Sequence, residues 1–177
     1  MSWEFRLLKR AVIAFVAAAI VLAALFAGVK AEVIRPNMMF PPNGAKGVDV
    51  SEYQGAIDIE ALSGAGIEFV YAKATEGATH VDAQFAATCE QAQGSSIALG
   101  AYHFFSFDSA GDAQAASFIA SAQSTWDDPA LRALRPAVDV EWYGDKEQNP
   151  PEADDVRHEL RTFVDAVKEA CGSKPLI

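Results

Sequence analysis

The chain has 177 residues, of which 51% are hydrophobic, and a formal net charge of −10. Beyond residue 35, nine basic residues stand against 22 acidic ones, a net charge of −13. No cluster of lysine or arginine is present there to neutralise phosphate groups, so the composition argues against a nucleic-acid partner. The length fits one globular domain.

The N-terminal part predicts a membrane anchor. Residues 11–29 contain no charged side chain, and basic residues precede them within residues 1–10. As a helix, residues 11–29 would span about 28 Å, close to the hydrocarbon thickness of a bilayer. The leading positive charge places residues 1–10 in the cytoplasm and the rest of the chain on the periplasmic or extracellular side. A cleaved signal peptide that releases a secreted protein is the alternative, although Lys30 interrupts the only small-residue cleavage site nearby.

A linker and an α/β domain follow. Residues 30–45 include a stretch rich in Pro, Asn and Gly without hydrophobic periodicity, which is typical of a tether. In residues 46–177, short apolar runs alternate with amphipathic stretches. This alternation favours β/α units around a parallel sheet.

Apolar runs predict four strands and the start of a fifth, and amphipathic stretches predict four helices between them. Asp82 is the expected N-cap of the second helix. The fourth helix has Asn149 as its N-cap, Pro150 in its first turn and Gly172 as its terminator. The predicted strands are 47–51, 68–75, 97–105, 137–141 and 175–177, and the predicted helices are about 57–64, 83–93, 110–124 and 150–171.

The fourth predicted strand carries two carboxylates. Asp139 and Glu141 are two residues apart and project from one face, while Val138 and Val140 pack on the other. Two close carboxylates push their pKa values apart, so that one stays protonated near neutral pH and can act as a general acid. Glycoside hydrolysis needs such a pair. A structural role, with the carboxylates capping a helix or pairing with Arg135, is the alternative.

Polar residues also mark the ends of the other predicted strands. Asp49 lies inside the first apolar run, Glu76 ends the second, and Tyr102 and His103 end the third. In parallel α/β folds functional residues gather where strands end, so these side chains are expected at one rim with the carboxylate pair. Only one of Tyr102 and His103 can face that rim, because neighbours on a strand point to opposite sides.

Four strings in this order resemble the glycoside hydrolase family 25 lysozymes, the Chalaropsis-type muramidases, over about residues 47–177. They are Asp-Val-Ser-x-x-Gln-Gly at 49–55, Lys-Ala-Thr-Glu-Gly at 73–77, Gly-Ala-Tyr-His-Phe at 100–104 and Asp-Val-Glu at 139–141. The resemblance implies an irregular TIM-like β/α barrel that needs no cofactor. It also implies hydrolysis of the β-1,4 bond between N-acetylmuramic acid and N-acetylglucosamine, with peptidoglycan glycan strands as the partner.

Carried over by position, the resemblance assigns three catalytic residues. Glu141 is the general acid that protonates the leaving oxygen. Asp139 orients the substrate or stabilises the developing charge, and Asp49 completes the acidic floor. The neighbouring carboxylates are expected to raise the pKa of Glu141 by repulsion.

Further residues around this floor are candidates for substrate binding. The family pattern directs Tyr102 rather than His103 to the inside. Tyr53, Tyr102 and Trp142 have rings that could stack on sugar faces. Glu76 either contacts substrate or bonds the loop around Gly77, and Lys73 is a candidate ion-pair partner for the inner carboxylates.

Two other functions stay open from the residues. The first is a module that binds glycan strands without cleaving them. The second is a metal-dependent hydrolase, although no His-x-x-x-His spacing is present and no metal site is predicted. Cys89 and Cys171 lie on separate predicted helices, so a disulfide between them is not expected.

The C-terminal end carries one more expectation. Residues 174–177 form an apolar run typical of a buried strand, and only about 130 residues lie beyond Gly47, whereas a closed β/α barrel takes ~200 or more. We therefore expect an incomplete, C-terminally truncated barrel with weak or no activity and an unpaired sheet edge.

Overall fold

The computed structural model describes residues 44–177. The predicted cytoplasmic segment, the transmembrane helix and most of the linker lie outside these residues. Within 44–177, none of the helices has the length and apolar character needed to span a bilayer. The anchor at residues 11–29 therefore stays a prediction.

A six-stranded sheet forms the centre of the described part of the chain. β1 pairs with β2, β2 with β4, and β4 with both β5 and β6, and all of these pairs are parallel. β3 adds an antiparallel pairing at the end of β2. The strands are β1 (Gly47–Val50), β2 (Phe69–Glu76), β3 (His80–Val81), β4 (Ala98–Phe104), β5 (Arg132–Ala133) and β6 (Ala137–Asp139).

Helices connect these strands and confirm the predicted mixed α/β fold with a parallel sheet. The two-residue strands β3 and β5 were not predicted, and the fifth predicted strand contributes one parallel bridge between Leu176 and Ala137. The helices are α1 (Ile59–Gly64), α2 (Phe85–Ala92), α3 (Gly111–Ala122), α4 (Ser124–Asp127) and α5 (Ala153–Cys171), and 3-10 turns cover Glu52–Gln54 and Gly144–Glu147.

Two predicted helix starts are wrong. α5 begins at Ala153 rather than after Asn149, because a residue that precedes a proline is disfavoured in helical conformation and positions 150 and 151 are both proline. α2 begins at Phe85 and has no side-chain cap. The Asp82 carboxylate instead accepts hydrogen bonds from the backbone N–H groups of Gln84 and Glu52. Gly172 ends α5 as predicted, in the left-handed conformation with φ of 74°.

The sheet has two chemically different faces. Paired residues of parallel strands point to the same side, and successive residues alternate. Val70, Leu99 and Val138 are buried on the side that we call the helix face, together with aromatic residues of α3 and α5. The opposite side, which we call the open face, carries the residues of the three rows Asp49–Tyr71–Gly100, Lys73–Tyr102–Ala137 and Glu76–Phe104–Asp139.

Aromatic rings fill the part of the open face nearest the amino ends of the strands. The ring of Phe69 lies across Gly47 and the ring of Tyr71 lies across Gly100, so a Cβ atom at either glycine would collide with a ring. The Tyr71 hydroxyl donates a hydrogen bond of 2.9 Å to the carbonyl oxygen of Arg135. The charged side chains that β2 and β6 place on the open face, Lys73, Glu76 and Asp139, therefore lie toward the carboxyl ends of these strands.

His103 belongs to the helix face and is fully buried. Its ring stacks on Phe163 with 4.7 Å between centroids. Its Nδ1 lies 2.8 Å from the hydroxyl of Thr75 and its Nε2 lies 3.0 Å from Oε1 of Gln114. Because the amide oxygen can only accept, Nε2 carries the proton. Burial lowers the pKa of His103 to about 4.

This burial makes the stability of the fold depend on pH. The pKa of a histidine in an unfolded chain is ~6.5, so between that pH and about 4 the unfolded chain binds a proton that the folded chain does not. The free energy of unfolding should therefore fall by about 2 kcal/mol from pH 7 to pH 5 through His103 alone. Urea unfolding at both pH values measures this fall. His103→Gln should be less stable than wild type at pH 7 but lose less stability on acidification, and an equal loss in both proteins would contradict the assignment.

Candidate active site

Three carboxylates meet at the carboxyl ends of the strands. Asp139 ends β6, Glu141 follows two residues later, and Asp49 lies on β1. The pKa of Asp139 is raised to about 6, first by burial, then by the charge and hydrogen bond of Glu141, and further by the charge of Asp49. The predicted grouping of these three side chains is what the structure shows.

Neither member of the carboxylate pair forms an ion pair with Arg135 in the described residues. Asp139 is half-buried, whereas Glu141 and Asp49 are exposed. Among the ion pairs of residues 44–177, none joins Arg135 to either member of the pair. The alternative in which Arg135 neutralises the pair therefore finds no support in the described residues, and Glu141 is open to an incoming ligand.

Tyr102 lies on the open face, in the row next to Asp139. The pKa of its phenol is raised by burial and then by the negative charges of Asp49, Asp139, Asp82 and Glu76. The hydroxyl therefore stays protonated and is a hydrogen-bond donor among acceptors. This position agrees with the family pattern, which directs Tyr102 to the inside.

Lys73 supplies a buried positive charge to the same face. Its side chain forms an ion pair with Glu76 in which Nζ and Oε2 are 2.9 Å apart. Glu76 therefore bonds a side chain on its own strand, and no bond from it to the backbone around Gly77 is present in the described structure. We expected Lys73 to pair with the inner carboxylates, but its direct ion-pair partner is Glu76.

The loop after β1 holds Tyr53 at the edge of this site. Ser51 and Gln54 form a capping box around the turn Glu52–Gln54. The backbone N–H of Glu52 donates to the buried carboxylate of Asp82 over 2.8 Å. Tyr53 itself is 80% exposed, so an anchored loop presents an aromatic ring to solvent.

A second aromatic group, which we call the aromatic wall, consists of Phe107, Trp142 and Tyr143. Phe107 lies between the other two rings, with centroid distances of 4.8 Å to Trp142 and 5.8 Å to Tyr143. The Tyr143 hydroxyl accepts from the backbone N–H of Phe107 at 3.1 Å and lies 3.0 Å from the hydroxyl of Ser106. Trp142 is 48% exposed. Sequence reasoning missed Phe107 because it lies beyond β4 outside any motif.

The cysteines and the candidate metal ligands are the remaining reactive side chains. Cys89 is buried and Cys171 half-buried, and both are free thiols, as expected for cysteines on separate helices. Across residues 44–177, no group of three His, Cys, Asp or Glu side chains has an arrangement suited to a metal ion.

A carboxylate pair that holds a proton and opens between aromatic side chains at the ends of parallel strands is typical of glycoside hydrolases. The family follows from comparison with known sequences. The family model described as glycosyl hydrolases family 25 matches residues 48–177, and the chain belongs to this family.

Individual relatives agree with this assignment. The chain is 35% identical over 99 residues to lysozyme M1 of Streptomyces globisporus, a match that covers 56% of this chain and 33% of the relative. A family 25 glycosyl hydrolase structure from Bacillus anthracis matches at 41% identity and a TM-score of 0.67, covering 73% of this chain and 57% of that one. The bacterial lysozyme structure from Streptomyces coelicolor matches at 31% identity and a TM-score of 0.63, covering 75% and 61%. The chain thus spans less than two thirds of each relative.

Proposed function

We propose that this protein is a lysozyme, an N-acetylmuramidase that hydrolyses the β-1,4 bond between N-acetylmuramic acid and N-acetylglucosamine in peptidoglycan. The observation that carries the proposal is the carboxylate site, in which Asp139, Glu141 and Asp49 share one electrostatic environment and the pKa of Asp139 is raised to about 6. Membership of family 25 and the match to lysozyme M1 support the same reaction. We also propose that the parallel sheet is part of an irregular TIM-like β/α barrel.

The three carboxylates divide the chemistry. Glu141 is exposed and electrostatically coupled to Asp139, so a proton held by the pair can pass to the glycosidic oxygen through Glu141. The bond between the anomeric carbon and that oxygen then breaks, and positive charge develops on the sugar. Asp139 and Asp49 supply negative charge beside it, and water completes hydrolysis by adding hydroxide to the sugar and returning a proton to the pair.

Aromatic residues bind the glycan on either side of the carboxylates. Tyr53 follows β1 and Trp142 follows β6, strands at opposite ends of the row β1, β2, β4, β6. Sugar rings have apolar C–H faces that stack on such side chains. Tyr102 and Glu76 lie between them on β4 and β2 and offer hydrogen bonds to sugar hydroxyl and acetamido groups.

The protein is proposed to act at the outer side of a membrane. The support is the uncharged run at residues 11–29 behind a basic N-terminus, which predicts an anchor and orientation. Membranes that carry the full chain should retain it through high-salt and carbonate washes and release it in detergent. A mature N-terminus near residue 32 would show instead that the segment is a cleaved signal peptide.

Glu141→Gln is the direct test of the catalytic proposal. Loss of the general acid should reduce the release of new reducing ends from purified sacculi by roughly 100-fold or more. Glu169→Gln, which removes an exposed carboxylate from α5, is the matched control and should keep wild-type activity. Both variants should still sediment with sacculi. Equal activity of wild type and Glu141→Gln would refute the assignment, and wild-type sedimentation without new reducing ends would favour a glycan-binding module.

A further inference from the structure

Lys73 is an unusual residue in this acidic protein because its side chain is buried on the open face of the sheet. The residue is only 3% exposed. Removing an ammonium group from water is costly unless it is paired, and its one ion-pair partner in the described structure is Glu76, which keeps 38% of its side chain exposed. A burial this complete calls for further stabilising contacts.

Two aromatic rings provide them. The ammonium nitrogen of Lys73 lies 4.8 Å from the ring centroid of Tyr53 and 5.7 Å from that of Phe104. Both distances fall within the range of cation–π attraction. Phe104 is held in β4, but Tyr53 is on a loop and is 80% exposed. The attraction therefore matters most for Tyr53, whose ring would otherwise be free to move between rotamers.

Lys73 lies next to the carboxylates as well as to the Tyr53 ring. Lys73 is paired with Tyr102 in the sheet register, and the next row along the open face contains Glu76, Phe104 and Asp139. The charge of Lys73 reaches that row, because it opposes the rise in the pKa of Asp139 that burial and Glu141 cause. The ammonium group thus contacts the Tyr53 ring and acts electrostatically on Asp139 of the carboxylate pair.

We infer that Lys73 is a positioning residue that fixes the Tyr53 ring as a stacking platform for a sugar unit beside the carboxylate pair. The inference rests on the proposed function and deepens it, since it assigns the recognition of one sugar face to a ring held by a buried cation. A purely structural Lys73 would stabilise β2 through Glu76 without affecting the binding of glycan.

Measurements of glycan binding distinguish the positioning role of Lys73 from a purely structural one. All variants are made in the full chain carrying Glu141→Gln, so that the probe, a soluble N-acetylglucosamine–N-acetylmuramic acid tetrasaccharide, is not consumed. Lys73→Met should weaken binding about five-fold, which corresponds to a cation–π contribution of about 1 kcal/mol. Lys73→Arg should retain the affinity because guanidinium also stacks on aromatic rings. Lys168→Met, at an exposed position of α5, is the matched control.

A double-mutant cycle tests whether Lys73 acts through Tyr53. Tyr53→Ala should weaken binding at least as much as Lys73→Met, and adding Lys73→Met to Tyr53→Ala should cause no further loss. Additive losses, or unchanged binding in Lys73→Met, would overturn the inference. If Lys73→Met does not fold, the variants Tyr53→Ala and Tyr53→Phe test the inference instead. Tyr53→Ala should bind the tetrasaccharide weakly, and Tyr53→Phe should bind it with wild-type affinity. Equal affinities of the two variants would overturn the inference.

A measurement without glycan distinguishes failure of this inference from failure of the proposed function. The aromatic NMR signals of Tyr53 should move toward values for a mobile tyrosine in Lys73→Met, while the amide spectrum of the sheet is preserved. Unchanged Tyr53 signals would overturn the positioning role. Failure of the Glu141→Gln parent to bind the tetrasaccharide would instead count against the proposed function, and the Tyr53 signals would still decide whether Lys73 holds the ring.

Discussion

Repulsion between two neighbouring carboxylates is the constraint on which the rest of the site depends. Asp139 ends β6 and Glu141 lies two residues beyond it, and the pKa of Asp139 rises to about 6 because burial and Glu141 disfavour its charge. Such a pair is tolerated only where a proton is retained or positive charge is near. The structure offers both, because the raised pKa of Asp139 lets the pair retain a proton up to about pH 6 and the buried ammonium of Lys73 acts on Asp139. The carboxylate pair, which is unfavourable to bury, is thus also the group that can donate a proton.

The alternation of side chains along parallel strands separates this site from the core. Tyr102 and His103 are neighbours in β4, yet Tyr102 joins the carboxylates and His103 is buried neutral between Thr75, Gln114 and Phe163. Gln114 also binds the backbone of the loop after β4, accepting from Ser106 at 2.8 Å. That loop leads to the aromatic wall, so the helix face supports the part of the open face that would meet substrate.

The sequence predicts those features that depend on local pattern. Alternation places Asp139 with Glu141, and apolar runs locate the four main strands to within about two residues. Features set by distant partners are not predictable in this way. Asp82 binds the loop after β1 instead of capping α2, Lys73 stacks under Tyr53, twenty residues earlier, and Phe107 becomes part of an aromatic wall through Tyr143. These contacts depend on how the loops fold over the sheet, which periodicity does not encode.

The central claim is that a proton held by the Asp139–Glu141 pair is the one delivered to the glycosidic oxygen. The pH dependence of kcat/KM for cleavage of solubilised glycan strands tests it most directly, because this profile reports the ionisation of essential groups in the free enzyme. With the pKa of Asp139 near 6, kcat/KM should fall above pH ~6, approaching a tenfold loss for each further unit. A rate that stays constant from pH 5 to 8, measured where the protein remains folded, would contradict the claim.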